Sequence, residues 1–459
     1  MRMTAGGIAR VVGGELQGNA DVSVLGAEVD SRRLEEGDLF VALAGGRRDG
    51  HEFVGAALET AAAALVCREA DLVEPPPERA LVWVDDSLAA YHELARRERR
   101  ERHWQVAAVT GSVGKTTTKD FLAALLAPDH RLGASGGNRN NTLGLPAEIL
   151  SQEPDVDFFV AEAGMSTPGE LAILGEILRP QLLLYTRIAP VHAEFFPDLA
   201  GVVRAKAELL PWLDSDGTLV VNADDPNQDG YPDQTEARVL RYGTDASEAR
   251  IEDLQDRGLL GTRFRLVLPD GEAAVELAMP GRHQAENLLA AAAAASAFGV
   301  RAEQVAEIAP DLQAPEHRGR VFFLADDITL VDDSYNASPV AMRRLLELLA
   351  RASGRRVAVL GEMYELGELS LQAHRDVGEE AAGSCDVLVA VGGGDAAVVA
   401  TAALEAGLPE GAVHIVECAD EATELLRREL RPRDVVLVKG SRGVDLDRTV
   451  AALTGKEAA

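Results

Sequence analysis

The apolar positions of this chain fall into short runs separated by stretches with helical spacing and by turns rich in Gly, Pro and Asp. Such short runs predict strands buried on both faces, and the spaced stretches predict the helices that cover them. Three groups follow one another. From residue 1 to about 103, "LGAEVDS", "DLFVALAG", "AALVCR" and "ALVWVDD" alternate with helical stretches, which gives a mixed α/β unit. Its last helix, about Ser87 to His103, carries "ARRERRERH". Interleaved signs there predict a solvated face and not a nucleic-acid patch. From 104 to about 314, "WQVAAVTG", "FFVAEAG", "QLLLYTRI" and "GTLVVNADD" predict buried parallel strands. A β-rich stretch over about 237–280 and the Ala-dominated "AENLLAAAAAASAF", a buried helix, complete that unit. Pro315 and "EHRGR" mark a boundary. From 315 to 459, "TLVDDS", "RVAVLGE", "DVLVAVGGG", "AVHIVE" and "DVVLVKGS" are each followed, with few exceptions, by a helix. That is the pattern of a doubly wound, Rossmann-like domain, whose ligands collect at the C-terminal strand ends.

Composition narrows the function classes. The 47% hydrophobic content is that of a globular protein. No apolar run is long enough to span a bilayer, and the N-terminal segment lacks a secretory h-region. Stable membrane insertion is not expected. Cys67, Cys385 and Cys418 lie far apart, which suits a reducing cytoplasm and argues against a disulfide framework or a Cys-based zinc site. A net charge of −30 disfavours nucleic acid and anionic membranes as partners. Anionic ligands would then be held by local cations and helix N-termini. Lysine occurs only at 115, 119, 206, 439 and 456, the other basic residues being arginine, so each lysine raises the question of what arginine would not do there.

The first answer is "VTGSVGKTT" at 109–117. A phosphate loop of the common type needs a glycine at the position of Val109. The surroundings are nevertheless right: an apolar strand precedes, and a helix with the apolar face Phe121, Leu122, Leu125 and Leu126 follows. Val109 is then the last buried residue of a strand that enters a shorter loop. Loop and helix N–H groups would face a polyphosphate, Lys115 would reach its outer phosphates, and Thr116 would offer its hydroxyl to Mg²⁺. Glu162 ends the strand "FFVAE" before a Gly-Met turn, with Ser166 or Thr167 capping the next helix and Pro168 in its first turn. A carboxylate there needs a partner; the readings are a routine turn or a Mg²⁺ ligand.

"TGSVGKTT" resembles the loop of the Mur ligases, ATP-dependent amide-forming enzymes of peptidoglycan synthesis, and of the related folylpolyglutamate synthetases. The likeness extends over the whole chain. It implies three domains: a UDP-substrate domain (1–103), a central P-loop ATP-binding domain (104–314), and a C-terminal domain (315–459) for the incoming dipeptide and part of ATP. It assigns Thr110, Gly111, Ser112, Val113, Gly114, Lys115, Thr116 and Thr117 to ATP, Glu162 to magnesium, and His192, of "RIAPVHAEFF", to the metal or a phosphate. The lysine matching Lys206, in "VVRAKAELL", is one that CO₂ carbamylates in the family, turning a cation into an anion for a second Mg²⁺. That chemistry needs an amine and not a guanidinium. Catalytic roles therefore fall to Lys115, Glu162, His192 and Lys206.

"GGNRNNTLGLP", with Asn138, Asn140 and Asn141, resembles the segment lining the acceptor, of which Asn138 and Asn141 are the candidates. "PGRHQAENLL" keeps the adenine contact Asn287 but has Gln284 where the family has Asn. Of Arg318 and Arg320, the second aligns better with the family's arginine near the γ-phosphate. In "DDSYNASPVAM", Asp333 is the candidate for the ribose, and Ser338 caps the next helix with Pro339 at its first position. Lys439 and Arg442 would anchor a carboxylate or the domain closure. In "VDSRRLEEGDLFVALAGGRRDGHEFV", Ser31, Arg32, Gly45, Arg47, Asp49 and His51 are the candidates for uridine and diphosphate. The fit is best to the branch that joins D-alanyl-D-alanine to UDP-N-acetylmuramoyl-tripeptide, acting as a monomer. The D-N-P-R signature of the branch adding the third residue is absent, and folylpolyglutamate synthetases lack such a first domain. A regulatory P-loop NTPase and a scaffold with a dead site remain as other readings.

Overall fold

The computed structural model describes residues 1–45, 48–67, 74–137, 139–190, 195–196, 198–243 and 247–455. Three main sheets follow one another along the chain. The first has the spatial order Glu15–Gly18, Ala80–Val84, Ala63–Cys67, Asp38–Val41, Gly26–Glu28, parallel except for its first pair. The second runs Gly271–Leu277, Thr262–Leu268, Ala249–Asp256, Arg238–Gly243, Thr218–Asn222, Leu182–Tyr185, Gln105–Thr110, Phe158–Glu162, Leu132–Ala134. It is parallel up to Ala249–Asp256, where a meander of antiparallel strands continues its edge. The third runs Arg320–Phe323, Thr329–Asp333, Val435–Lys439, Arg356–Gly361, Val387–Val391, Val413–Val416, with only its first pair antiparallel. The strands Leu132–Ala134 and Arg320–Phe323 carried no clear pattern: one is short, and the other lies in the segment taken as a boundary.

Alternation along the central strands decides which side each residue covers. Val106, Ala108, Phe159 and Ala161 face one core; Ala107, Val109, Phe158 and Val160 face the other. Val109 is fully buried, in register with Glu162 on one neighbour and Leu184 on the other. The Ala-rich helix Arg282–Ser296 lies against the second face, where its run Ala290–Ala295 is buried. Small side chains let that helix approach the phosphate-loop helix Lys115–Leu126 closely: a Cβ on Gly114 would stand 2.5 Å from Asn287 Oδ1.

The first two sheets share one continuous core. Tyr91, Leu94 and Ala95 of the helix Ser87–Glu101 join Trp104, Leu145, Ile149, Leu174 and Ile177 in a single apolar cluster. The third sheet has separate clusters on its two faces, as helices on both sides require. Among the described contacts, the turn Gly258–Leu260 touches it: Leu259 packs on its core and Arg351 pairs with Asp256 at 2.8 Å.

Two local expectations need correction. The "ARRERRERH" helix is not solvated all round. Glu98 and Arg99 are buried because that helix packs between the first sheet's core and the helices Gly144–Ser151 and Glu170–Leu178. Arg99 donates to the carbonyls of Leu178 (2.8 Å) and Arg179 (3.2 Å), the exposed end of the latter helix, and to Gln181 Oε1 (3.3 Å). Neither Ser166 nor Thr167 caps the helix after Glu162. That helix starts at Glu170, behind Gly169 at φ 91°, and the Glu208 carboxylate accepts from Gly169 N (2.9 Å) in place of a local cap.

Replacing Arg99 by Ala takes the donor from the buried Leu178 carbonyl, and should lower stability by roughly 1–3 kcal/mol. Arg100→Ala, on the exposed side of the same helix, should change it by about 0.5 kcal/mol or less. Urea unfolding of the two variants beside the wild type is the check.

Candidate active site

The strand Gln105–Thr110 leads into the loop through Gly111, at φ 143°. Only glycine fits there, because a Cβ would lie 2.0 Å from Thr186 Oγ1. Thr110 is buried behind the loop and donates to Ala163 O (2.8 Å). The N–H groups of Ser112 and Val113 pair with the Arg187 carbonyl at 2.8 and 3.3 Å. They are thus turned inward and not towards a ligand, as the loop alone suggested. What faces the cavity is the start of the helix Lys115–Leu126, behind Gly114 at φ 87° and without a side-chain cap. The first N–H groups of a helix have no partner of their own, and here they carry its positive end.

Glu162 sits in register with Val109 at the end of its strand and is 2% exposed. One carboxylate oxygen accepts from Thr116 Oγ1, the other from Asn140 Nδ2, each at 2.7 Å. Its backbone N–H goes to Ser135 Oγ, and the Ser135 carbonyl accepts from buried Lys119. Lys115 lies beside this pair; burial lowers its pKa from the ordinary 10.5, against the nearby Glu162 charge. Lys206 is buried in the helix Leu199–Ala207. Its pKa is driven well below 10.5 by burial and then by the Lys115 cation, while Glu162, Glu170 and Glu208 act the other way. Both the burial and the neighbouring cation disfavour the charged ammonium at this position.

Lys115, Thr116, Asn140 and Glu162 open on a cavity of about 670 Å³ between the second and third sheets, whose lining does not include the buried Lys206. Ser112, Val113, Gly114, Lys115, Thr116, Thr117, Glu162, Asn141 and Asn287 line one side; Asp333, Lys439 and Arg442 line the other. The Asn141 side-chain oxygen accepts from Leu143 N and Gly144 N. Lys439 forms an ion pair with Asp333 and donates to Asn336 O (2.9 Å). Of Arg318 and Arg320 it is Arg318 that lines the cavity, its guanidinium stacked 3.9 Å above the Tyr335 ring. Arg320 is outside it: it begins a strand and points towards Gln313 and Phe322. His283, His317 and Tyr335 also line the cavity, though no single-residue signal marked them; Asn140, named within "GGNRNNTLGLP", lines it too. The nearest sequence signal is their place beside glycines and acids that were singled out.

The N-terminal candidates are elsewhere. Ser31 and Arg32 open a turn after the strand Gly26–Glu28; Gly45 and Asp49 follow Asp38–Val41. The two strands are parallel neighbours, so both segments emerge at the same sheet edge. Arg32 is exposed and paired with Asp30, whose carboxyl it holds down to about 2. His51 is not available to a ligand through its ring nitrogens. Nδ1 binds Asp49 Oδ1 (2.6 Å) and Nε2 accepts from Cys67 N (2.9 Å), a bridge within the sheet that burial favours. Arg47, Asn138 and His192 lie outside the described residues.

The chain matches the Mur ligase family catalytic domain over residues 24–99, the Mur ligase middle domain over 109–295 and the Mur ligase glutamate ligase domain over 317–442. It is 34% identical to the "UDP-N-acetylmuramoyl-tripeptide--D-alanyl-D-alanine ligase" of Escherichia coli (strain K12), over 98% of each chain. The chain belongs to the Mur ligase family. Its fold is similar to that of MurF from Acinetobacter baumannii, at 28% identity and a TM-score of 0.87 over 99% of each chain. It is also similar to MurF from Thermotoga maritima in complex with ADP, at 27% identity and a TM-score of 0.79 over 94% of this chain and 97% of that one. The three-domain α/β architecture expected of a Mur ligase is thus present.

His283 gives this Mur ligase a pH signature. Burial lowers its pKa to about 4 from the ordinary 6.5; Asp333 opposes the shift, and Arg344 and Lys439 add to it. Between those values the unfolded chain binds the extra proton, so this contribution to stability is complete above about pH 6.5 and is lost as pH falls towards 4. In His283→Gln the thermal midpoint should gain on that of the wild type between pH 7 and pH 5. A constant difference would remove the assignment.

Proposed function

We infer that this chain joins D-alanyl-D-alanine to UDP-N-acetylmuramoyl-tripeptide with ATP, releasing ADP and phosphate. The observation that carries the reading is the single cavity shared by the phosphate loop and the loops of the third sheet. The full-length likeness to ligases of that name supports it.

The chemistry follows from need. A carboxylate is a poor acyl donor at neutral pH. Phosphorylation by ATP makes an acyl phosphate, the dipeptide amine attacks its carbonyl carbon, and phosphate leaves. Two anions must first be brought together. Lys115, the start of its helix, and Arg318 across the cavity supply positive charge for that purpose. No protein nucleophile is required. Closure of the third domain on the second would exclude water from the acyl phosphate.

In this reading residues 1–103 hold the UDP end, through the shared edge that carries Ser31, Arg32, Gly45 and Asp49. Residues 104–314 hold ATP through Ser112–Thr117 and Asn287, with Thr110 and Gly111 shaping the loop from behind. Residues 315–459 take the dipeptide and the ribose side, with Asp333, Lys439 and Arg442. Mg²⁺ would neutralise phosphate charge. The described residues hold no cluster of three or more His, Cys, Asp or Glu side chains suited to a metal. The hydroxyl–carboxylate pair of Thr116 and Glu162 nevertheless fits an ion that keeps waters and phosphate oxygens as most of its ligands. His192 is a further candidate ligand. Lys206 suits carbamylation, since burial disfavours the charged form of its amine. The protein acts in the cytoplasm as a monomer.

The test is purified protein with ATP, Mg²⁺, UDP-N-acetylmuramoyl-tripeptide and D-alanyl-D-alanine. Phosphate release should need both acceptors and match pentapeptide formed. Release without product would favour an NTPase, and product from a single amino acid with the dipeptide-level substrate would favour the neighbouring branch. Lys206→Arg should lower kcat roughly 100-fold. ¹³C-bicarbonate should give a carbamate resonance in the wild type that is missing in the variant.

A further inference from the structure

The segment 139–144 carries Asn140, which holds Glu162, yet most of its outside support comes from the first domain. Arg139 is 17% exposed and forks between two carboxylates: Glu148 (2.9 Å), on the adjoining helix, and Glu28, which is 7% exposed. Glu28 ends the strand Gly26–Glu28. Its other oxygen accepts from Val29 N (2.9 Å) and Asp30 N (3.1 Å), the residues that lead into the turn of Ser31 and Arg32. Two more contacts come from the helix Ser87–Glu101: Tyr91 Oη donates to Leu143 O (3.1 Å), and His92 Nε2 meets Thr142 O at 2.7 Å.

On the far side the segment is locked to Glu162. The Asn140 carbonyl accepts from Gly164 N (2.7 Å), and a Cβ on Gly164 would stand 2.8 Å from Asn140 Cγ. Gly144 closes the loop tightly, since a Cβ there would stand 2.6 Å from Arg139 Cα. A displacement of Arg139 therefore cannot be absorbed within the loop, and it reaches the Asn140–Glu162–Thr116 chain.

We propose that Arg139 and Glu28 are positioning residues that couple the turn at Asp30–Arg33 in the first domain to the Glu162 carboxylate at the phosphate loop. The inference rests on Glu162 holding Mg²⁺ with nucleotide. A guanidinium is suited to this place, because its planar fork engages two carboxylates at once where an ammonium meets them as a point charge. The shared core of the first two domains makes the coupling rigid.

Glu28→Gln tests it selectively. The amide oxygen can still accept from Val29 N and Asp30 N, so the turn survives, while its NH₂ now opposes the Arg139 fork. The readout is binding of a fluorescent N-methylanthraniloyl-ADP as a function of Mg²⁺, which needs neither acceptor nor turnover. The Mg²⁺ concentration for half-maximal binding should rise about tenfold in Glu28→Gln and in Arg139→Gln. It should rise no further in the double variant, and binding without Mg²⁺ should stay unchanged. Curves that superimpose on the wild type in Glu28→Gln, or shifts that add in the double variant, would overturn the coupling. If Arg139→Gln does not fold, Glu28→Gln decides alone. A wild type that forms no pentapeptide would end the ligase reading and leave this measurement readable.

Discussion

Glu162 puts a carboxylate at the end of a strand covered on both faces, and much of the site is arranged to hold it there. A charge so buried is costly unless hydrogen bonds satisfy it. Thr116 and Asn140 take one oxygen each, so the first turn of the phosphate-loop helix and the loop at 139–144 are both anchored to one side chain. Behind it, Ser135 and Lys119 pin the backbone. The position of the phosphate loop relative to the rest of the cavity thus depends on a single carboxyl side chain whose two partners come from different parts of the chain.

The distribution of cations follows the same logic on a larger scale. The chain carries a net charge of −30, yet Lys115, Arg187, Arg318, Arg344, Lys439 and Arg442 line the cavity against Glu162, Glu286, Asp333 and Glu365. A polyphosphate approaching an acidic protein needs such a local reversal of sign. Each described lysine is at least partly buried: Lys115 at the loop, Lys119 on a carbonyl, Lys206 in its helix and Lys439 on Asp333. Among the described residues, the exposed positions with a lysine or arginine all carry arginine. The scarcity of lysine marked positions where a compact ammonium or a neutral amine is wanted.

Much of this was legible along the chain. Alternation and run length found the strands of all three main sheets except Glu15–Gly18, Leu132–Ala134 and Arg320–Phe323, since burial on both faces leaves a strong local signal. Glycine at 111 and 114, with lysine and threonine after, marked the phosphate loop, because steric need and phosphate chemistry act within a few residues. Partner choice was less legible. His51 looked like a ligand residue and is a bridge between Asp49 and Cys67, sixteen residues on. Arg318 and Arg320 differ by two positions; strand pairing turns the second away from the cavity while Arg318 stacks on Tyr335 within it. The "ARRERRERH" helix looked solvated, because alternating charge says nothing of the carbonyls another helix leaves bare.

The sequence by itself determined the order of elements, the chemistry of the phosphate loop and the family to which the chain belongs, since these rest on steric and bonding demands met by near neighbours. Only the tertiary structure decided which side chains meet. Arg139 joins Glu28, 111 residues away, and Asn140 joins Glu162 because packing of the helices between the first two sheets brings those loops into contact. Pairing at such separation is set by the geometry of the shared core, and no spacing along the chain encodes it.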